Sequence, residues 1–226
     1  LLLPTIGTSS YLGTYARVPY YISMGPSRDA TIEPFVTSEA GFIALGEFRQ
    51  RFDDGGFWLQ GSLGTDPDSS AGPGNSTVVG HLFGSGRYAL DNSWRIGFDT
   101  ELTSNDTYLY RYDLSYIDRL TSDFFVEQIA GRSRFSATAY YFQSLRDGDT
   151  QGSLPLIFPL IEYTYIPEHK FYGGRARIDS NLLYLRRDTG TDVARGSMSA
   201  DWMRMFISDS GHVVSLDLLA RADIYH

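Results

Sequence analysis

The sequence predicts an all-β chain: an antiparallel transmembrane β-barrel, present only in part, of about thirteen strands. Three observations carry that expectation. Apolar and polar residues alternate with a period of two along the whole chain, turn residues interrupt that alternation at regular intervals, and aromatic side chains crowd the apolar positions. Successive side chains of a strand point to opposite faces, so this pattern makes ribbons with one apolar and one charged side.

The first strand is expected from about Tyr11 to Met24 and the second from about Ala30 to Ser38, separated by Gly25-Pro26-Ser27-Arg28-Asp29. Asp53-Asp54-Gly55-Gly56 marks the next reversal. The clearest strand is Ser93–Leu102, with Trp94, Ile96, Phe98, Thr100 and Leu102 on one face and Arg95, Gly97, Asp99 and Glu101 on the other. After Ser104-Asn105-Asp106 the same logic gives a strand with Tyr108, Tyr110, Tyr112, Leu114 and Tyr116 on one face and Arg111, Asp113 and Ser115 on the other. Near the end, Val214, Leu216, Leu218, Ala220, Ala222 and Ile224 alternate with Ser215, Asp217, Arg221 and Asp223, following the turn Ser208-Asp209-Ser210-Gly211. Longer connections are expected at Thr65–Thr77, Asp147–Gly152 and Asp188–Arg195. A soluble β-sandwich would also alternate, with its apolar faces turned inward. Charges at strand centres and Tyr and Trp on the apolar faces favour a hydrated lumen and a lipid surface instead.

Composition narrows the function. A net charge of -8 lacks the basic footprint of a nucleic-acid binder. With no cysteine there is no disulfide, thiol catalysis or zinc-finger spacing. His81, His169, His212 and His226 are scattered without metal-site spacing, so neither metal nor cofactor is expected. His81 near Ser85 reads as a coincidence on one strand, and no enzyme is expected. Asn75-Ser76-Thr77 and Asn105-Asp106-Thr107 match glycosylation sequons but read as turns, and Gly84-Ser85-Gly86 reads as a close strand approach or a bend inside a strand. The start at Leu1 and the stop inside a strand pattern at His226 read as cuts in a longer precursor.

The run Leu2-Leu3-Pro4-Thr5-Ile6-Gly7-Thr8-Ser9-Ser10, then Val18-Pro19-Tyr20-Tyr21-Ile22, Arg28-Asp29-Ala30-Thr31-Ile32-Glu33-Pro34 and Gly46-Glu47-Phe48-Arg49, resembles the lipopolysaccharide-assembly outer-membrane protein family (LptD, also called organic solvent tolerance protein). Trp94-Arg95 with Asp99, Leu154-Pro155-Leu156-Ile157 with Glu162-Tyr163, and Ser199-Ala200-Asp201-Trp202 through Ala220-Arg221-Ala222-Asp223 extend the resemblance along nearly the whole chain. The resemblance implies a single segment, 1–226, forming the N-terminal half of a larger barrel in the outer membrane of a Gram-negative bacterium. A jelly-roll domain, the second barrel half and the cysteines of many members are missing from it. It implies insertion of lipopolysaccharide into the outer leaflet through the lumen and a lateral gate. The implied partners are lipopolysaccharide, a plug lipoprotein, periplasmic bridge proteins acting through the jelly-roll, and membrane lipid.

Proline removes a backbone donor and is disfavoured inside a central strand. By residues alone Pro19 and Pro34 are edge or bulge prolines, and by resemblance they are gate prolines beside the seam where the first and last strands of the whole barrel meet. The lumen-facing set is expected to include Arg17, Glu33, Glu47, Arg49, Arg95, Asp99, Glu101, Arg111 and Asp113, with Arg175, Arg177, Asp179, Asp217, Arg221 and Asp223 further on. These residues either meet passing sugars or the plug lipoprotein that the resemblance implies, or pair among themselves. A porin or receptor, in which the prolines are incidental, is the other reading of the pattern.

Overall fold

The computed structural model describes residues 3–66 and 77–226. Most of the predicted connection Thr65–Thr77, and the Asn75-Ser76 part of its sequon, lie outside the described residues. The all-β expectation holds. Among the described residues, fourteen strands pair antiparallel in one sheet, with one α-helix of four residues, α1, and a single 3-10 turn at Gln151–Ser153.

The strands are β1 (Thr5–Ser9), β2 (Gly13–Arg17), β3 (Tyr20–Ser23), β4 (Arg28–Thr37), β5 (Phe42–Phe52), β6 (Gly55–Asp66) and β7 (Thr77–Ala89), then β8 (Trp94–Thr103), β9 (Arg119–Ala130), β10 (Ser133–Ser144), β11 (Leu156–Tyr165), β12 (Arg175–Arg186), β13 (Val193–Ile207) and β14 (Val213–Tyr225). Hydrogen-bonded neighbours follow chain order from β1 to β14, with β3 set aside because it pairs only with β4. The path does not return from β14 to β1, as expected of part of a barrel.

Three expectations need correction. The strand Tyr11–Met24 is not the first and is not continuous. β1, too polar to announce itself, precedes it and pairs with β2 through a turn in which the Leu12 N–H donates to Ser9 Oγ (3.0 Å) and Gly13 takes a φ of 65°. The predicted strand then divides into β2 and β3 at Val18-Pro19. The third correction is the run Tyr108–Tyr116, which is α1 (Tyr108–Arg111) followed by a tight reversal with Asp113 at φ 54°. Asn105 Oδ1 accepts from the N–H groups of Thr107 (3.2 Å) and Tyr108 (2.8 Å), which starts the helical turn. Tyr108, Leu109 and Tyr112 then share one helical face and are buried, while Tyr110 and Tyr116 are exposed. Arg111 and Asp113 therefore sit on α1 and its reversal, not on a strand.

The chain forms two compact units. The first comprises the residues up to Tyr88 with Gly97–Ser122 and Phe142–Gln151; the second comprises Ala89–Ile96, Asp123–Tyr141 and Gly152–His226. In the first unit, Ile32, Val36, Phe42, Leu63, Val78 and Leu82 are exposed on one face of the sheet. Its other face buries Phe35, Ile43, Leu45 and Val79 against Leu12, Ala40, Leu120 and the inward-folded Tyr108, Leu109 and Tyr112. The rings interlock edge to face: Tyr11 with Tyr112 at 5.8 Å, Tyr15 with Phe35 at 5.5 Å and Phe35 with Tyr112 at 6.4 Å. Within this unit the connections at the core end (10–12, 38–41 and 104–118) include the long one, whereas the opposite end is closed by the tight turns at 24–27 and 53–54. Gly84 lies within β7 as expected, and a Cβ there would stand 2.8 Å from the Trp58 carbonyl oxygen.

In the second unit, β10 to β14 run in continuous antiparallel register except for bulges near Thr138/Tyr140 and Ile157/Leu160, the latter holding Pro159. Their polar side chains line up across the strands: Arg134 opposite Thr164, Thr164 opposite Asp179, Asp179 opposite Ser199 and Ser199 opposite Arg221.

Candidate functional site: a proline break beside a charged face

β2 pairs with β4 through Tyr15↔Thr37, Ala16↔Val36 and Arg17↔Phe35, and β3 resumes in the same register at Tyr20↔Ile32. The missing rungs are Val18 opposite Pro34 and Pro19 opposite Glu33. The break is thus a loss of bonds without a slip. At the first rung the Val18 N–H donates to the Pro34 carbonyl (3.2 Å), and the return bond is absent because Pro34 has no N–H. Backbone donors alternate sides along a strand, so the donor Pro19 lacks would have faced the β1 side. A third proline, Pro4, directly precedes β1, one residue before its Thr5↔Arg17 pair, where the sheet edge steps from β1 to β3. The sequence reading singled out two of the three. Pro4 was missed because its place depends on β1, a strand the pattern did not reveal.

Pro34 faces outward with the exposed Val36, whereas Pro19 lies on the opposite, charged face. There it lines a cavity of about 420 Å³ with Leu3, Glu33, Glu47, Arg49 and Gln60. Along β4 and β5 this face changes character, from the buried Phe35, Ile43 and Leu45 at the core end to Glu33, Glu47 and Arg49 further down. Arg49 Nε bonds Asp29 at 2.8 Å and lies 3.2 Å from Glu47, both exposed enough that the pairing orders side chains more than it stabilises the fold.

The other predicted lumen residues fall into local pairs. Asp99 is ion-paired with Arg87, Glu101 accepts from the Thr121 N–H at 3.1 Å, and Arg95 pairs with Glu127 at 3.0 Å. In the second unit Arg177 grips Asp179 through two bonds (2.6 and 2.8 Å), and Arg221 grips Asp223 likewise (2.9 and 3.1 Å). Arg177, Asp179 and Arg221 line a polar hollow of about 320 Å³ with Arg134, Glu162 and Ser199. Such paired, nearly neutral charges present many donors and acceptors without a strong field.

Arg17 differs from these. Among the described residues it has no carboxylate partner. Its Nη2 donates to the Tyr112 carbonyl at 2.8 Å, its guanidinium lies 4.2 Å from the Phe35 ring centre, and its Nε is buried without a partner among the described residues. Arg111 lies 5.1 Å from the Tyr11 ring centre, and Asp113 accepts from the Tyr116 hydroxyl. His81 does not meet Ser85. Its Nδ1 is 2.5 Å from Ser62 Oγ, which is 2.6 Å from the Tyr108 hydroxyl, all three buried. With Tyr108 donating to Ser62 and Ser62 to His81 Nδ1, the three side chains form one hydrogen-bonded chain. No group of metal-ligating side chains occurs among the described residues.

The LPS transport system D (LptD) family model matches residues 77–226, two thirds of the chain. The chain belongs to the LptD family. Similar proteins named LPS-assembly protein LptD include that of Idiomarina loihiensis, 34% identical over 121 residues (53% of this chain, 15% of the relative). That of Chromohalobacter salexigens is 30% identical over 162 residues (71% of this chain, 20% of the relative), and that of Paracidovorax citrulli is 49% identical over 49 residues (22% and 6%). The matched stretches are thus 6–20% of the length of these LptD relatives.

Proposed function

We propose that this chain is part of an outer-membrane translocon that inserts lipopolysaccharide into the outer leaflet through a barrel lumen and a lateral gate. The carrying observation is the proline break, which thins one strand pairing at the sheet edge between an apolar outer face and a charged inner one. An amphiphile needs both surfaces, because its sugars require polar groups and its acyl chains must avoid water. Lipid tolerates no permanently open edge, so a releasable pairing must be weak without being absent. The exposed apolar face of the first unit fits lipid, and the charged face with Glu33, Glu47, Arg49 and Pro19 fits the lumen. Outer-membrane barrels carry short periplasmic turns and longer outer loops, which places the inward-folded 104–118 connection at the cell surface. The chain supplies an N-terminal barrel segment. A plug lipoprotein and periplasmic bridge proteins, the latter acting through a jelly-roll domain, are its proposed partners. A porin or receptor leaves the break at Val18-Pro19 opposite Pro34 without a purpose.

The test is Pro19→Ala with Pro34→Ala in the full-length protein. Pro34→Ala returns the bond to Val18, and Pro19→Ala returns a donor facing β1. At roughly 0.5–1.5 kcal/mol for each bond regained, the two strengthen local pairing by about 1–3 kcal/mol, roughly a five- to 150-fold shift against opening. Surface lipopolysaccharide should fall and sensitivity to large hydrophobic antibiotics should rise, with barrel level unchanged. Normal export from a normally assembled double variant refutes the gate.

A further inference from the structure

The β1–β2 hairpin is held to the rest of the sheet by little backbone. β2 meets β4 only over Tyr15–Arg17, with added bonds from Val18 N–H to Pro34 (3.2 Å), from Ser38 N–H to the Thr14 carbonyl (2.9 Å) and from Glu39 N–H to the Leu12 carbonyl (3.3 Å). By comparison β4 pairs with β5 from Arg28 to Val36 without a gap. What the ladder lacks, the inward segment supplies. The Arg17 guanidinium donates to the Tyr112 carbonyl while stacked on Phe35. At the hairpin tip, Tyr11 is gripped between the Tyr112 ring edge (5.8 Å) and the Arg111 guanidinium (5.1 Å). The segment itself is moored elsewhere: the Tyr108 hydroxyl meets Ser62 on β6, and the Tyr112 hydroxyl donates to the Ala40 carbonyl (3.3 Å). It is a strut running from well-paired strands to a poorly paired hairpin.

We propose that Arg17 is a positioning residue that latches the β1–β2 hairpin shut through Tyr112, so that the seam opens only when this contact releases. The proposal rests on the gate reading above. The chemistry suits a latch. A charged donor on a neutral carbonyl holds firmly, yet with no carboxylate opposite and with Nε unsatisfied, the guanidinium recovers hydration on release. A fully ion-paired arginine would hold too hard to let go.

The experiment uses the full-length protein in cells. Arg17→Leu keeps an apolar stem on Phe35 and removes the donor. It should raise the opening equilibrium about tenfold, read as entry of large hydrophobic antibiotics at parental barrel level. Arg17→Lys, which keeps a cationic donor, should restore part of the exclusion. Adding Pro34→Ala to Arg17→Leu should also restore it, because a regained ladder bond replaces the lost latch; general loosening would not be rescued that way. Parental exclusion in Arg17→Leu, or leakage that neither Arg17→Lys nor Pro34→Ala reduces, overturns the latch. Should Arg17→Leu fail to assemble, Tyr11→Cys with Arg111→Cys and a reducible bifunctional thiol linker provides the second measurement. Export should stop on cross-linking and resume on reduction, and export at the parental rate while cross-linked overturns the proposal. Slowed export in the proline variants together with inert Arg17 and linker variants sinks the latch alone. Inert proline variants sink the gate itself.

Discussion

Ser62→Ala should loosen the inward segment far more than Tyr108→Phe, although each substitution removes one hydroxyl from the same network. Tyr108→Phe deletes the end of the chain and leaves Ser62 Oγ bonded to His81 at 2.5 Å, so only one hydrogen bond is lost. That costs roughly 0.5–1.5 kcal/mol. Ser62→Ala deletes the hub and leaves the Tyr108 hydroxyl and His81 Nδ1 both buried without a partner from this network. Each stranded group costs about 1–3 kcal/mol, so the total is about 2–6 kcal/mol. The assay is hydrogen exchange of the Asn105–Tyr116 amides in detergent-solubilised full-length protein, backed by limited proteolysis of that segment. Exchange should speed up by about tenfold in Tyr108→Phe and by a hundredfold or more in Ser62→Ala. Equal effects in the two variants would refute the hub reading, as would acceleration spread evenly over the strands.

Two further outcomes follow from the structure. At the β7–β8 turn, Asp91 Oδ1 accepts from the N–H groups of Ser93 and Trp94 (2.7 Å each), which holds its carboxyl below the usual aspartate value of 3.8. A lowered folded value means the stabilisation is present above 3.8 and fades as pH falls below it, so exchange at Ser93 and Trp94, corrected for intrinsic rates, should accelerate there and stay flat from pH 5 to 7. Gly84→Ala puts a Cβ 2.5 Å from Leu59 Cδ2 and 2.8 Å from the Trp58 carbonyl oxygen and should cost about 1–3 kcal/mol by urea titration of the folded barrel; unchanged stability would show that β6 and β7 spread apart easily.

What the sequence shows and hides follows from what a period can encode. Alternation is legible in β5 because its two faces differ sharply: Ile43 and Leu45 are buried while Phe42 and Ala44 are exposed, and Glu47 and Arg49 continue the row of Ile43 and Leu45. β1 is hidden because Thr5-Ile6-Gly7-Thr8-Ser9 has almost no apolar contrast, and with it the Thr5↔Arg17 pair that ends one residue short of Pro4. Pro19 and Pro34 are visible as ladder breakers, but their position on adjacent rungs of one pairing is a property of register, which single-strand periodicity does not carry. The Tyr108–Tyr116 run misleads for a different reason. Residues at i and i+4 share a face in a strand and also in a helix, so Tyr108 and Tyr112 satisfy both periods. Only the odd-numbered Leu109, which joins them in the core, and the exposed Tyr110 break the tie. The local chemistry breaks it earlier still. Asn105 offers its side-chain oxygen to the amides of Thr107 and Tyr108, which a strand would have spent on a neighbour, and this turns the chain inward where Arg17 can reach the Tyr112 carbonyl. The asparagine that reads as a plain turn signal is therefore what positions the strut against the first hairpin.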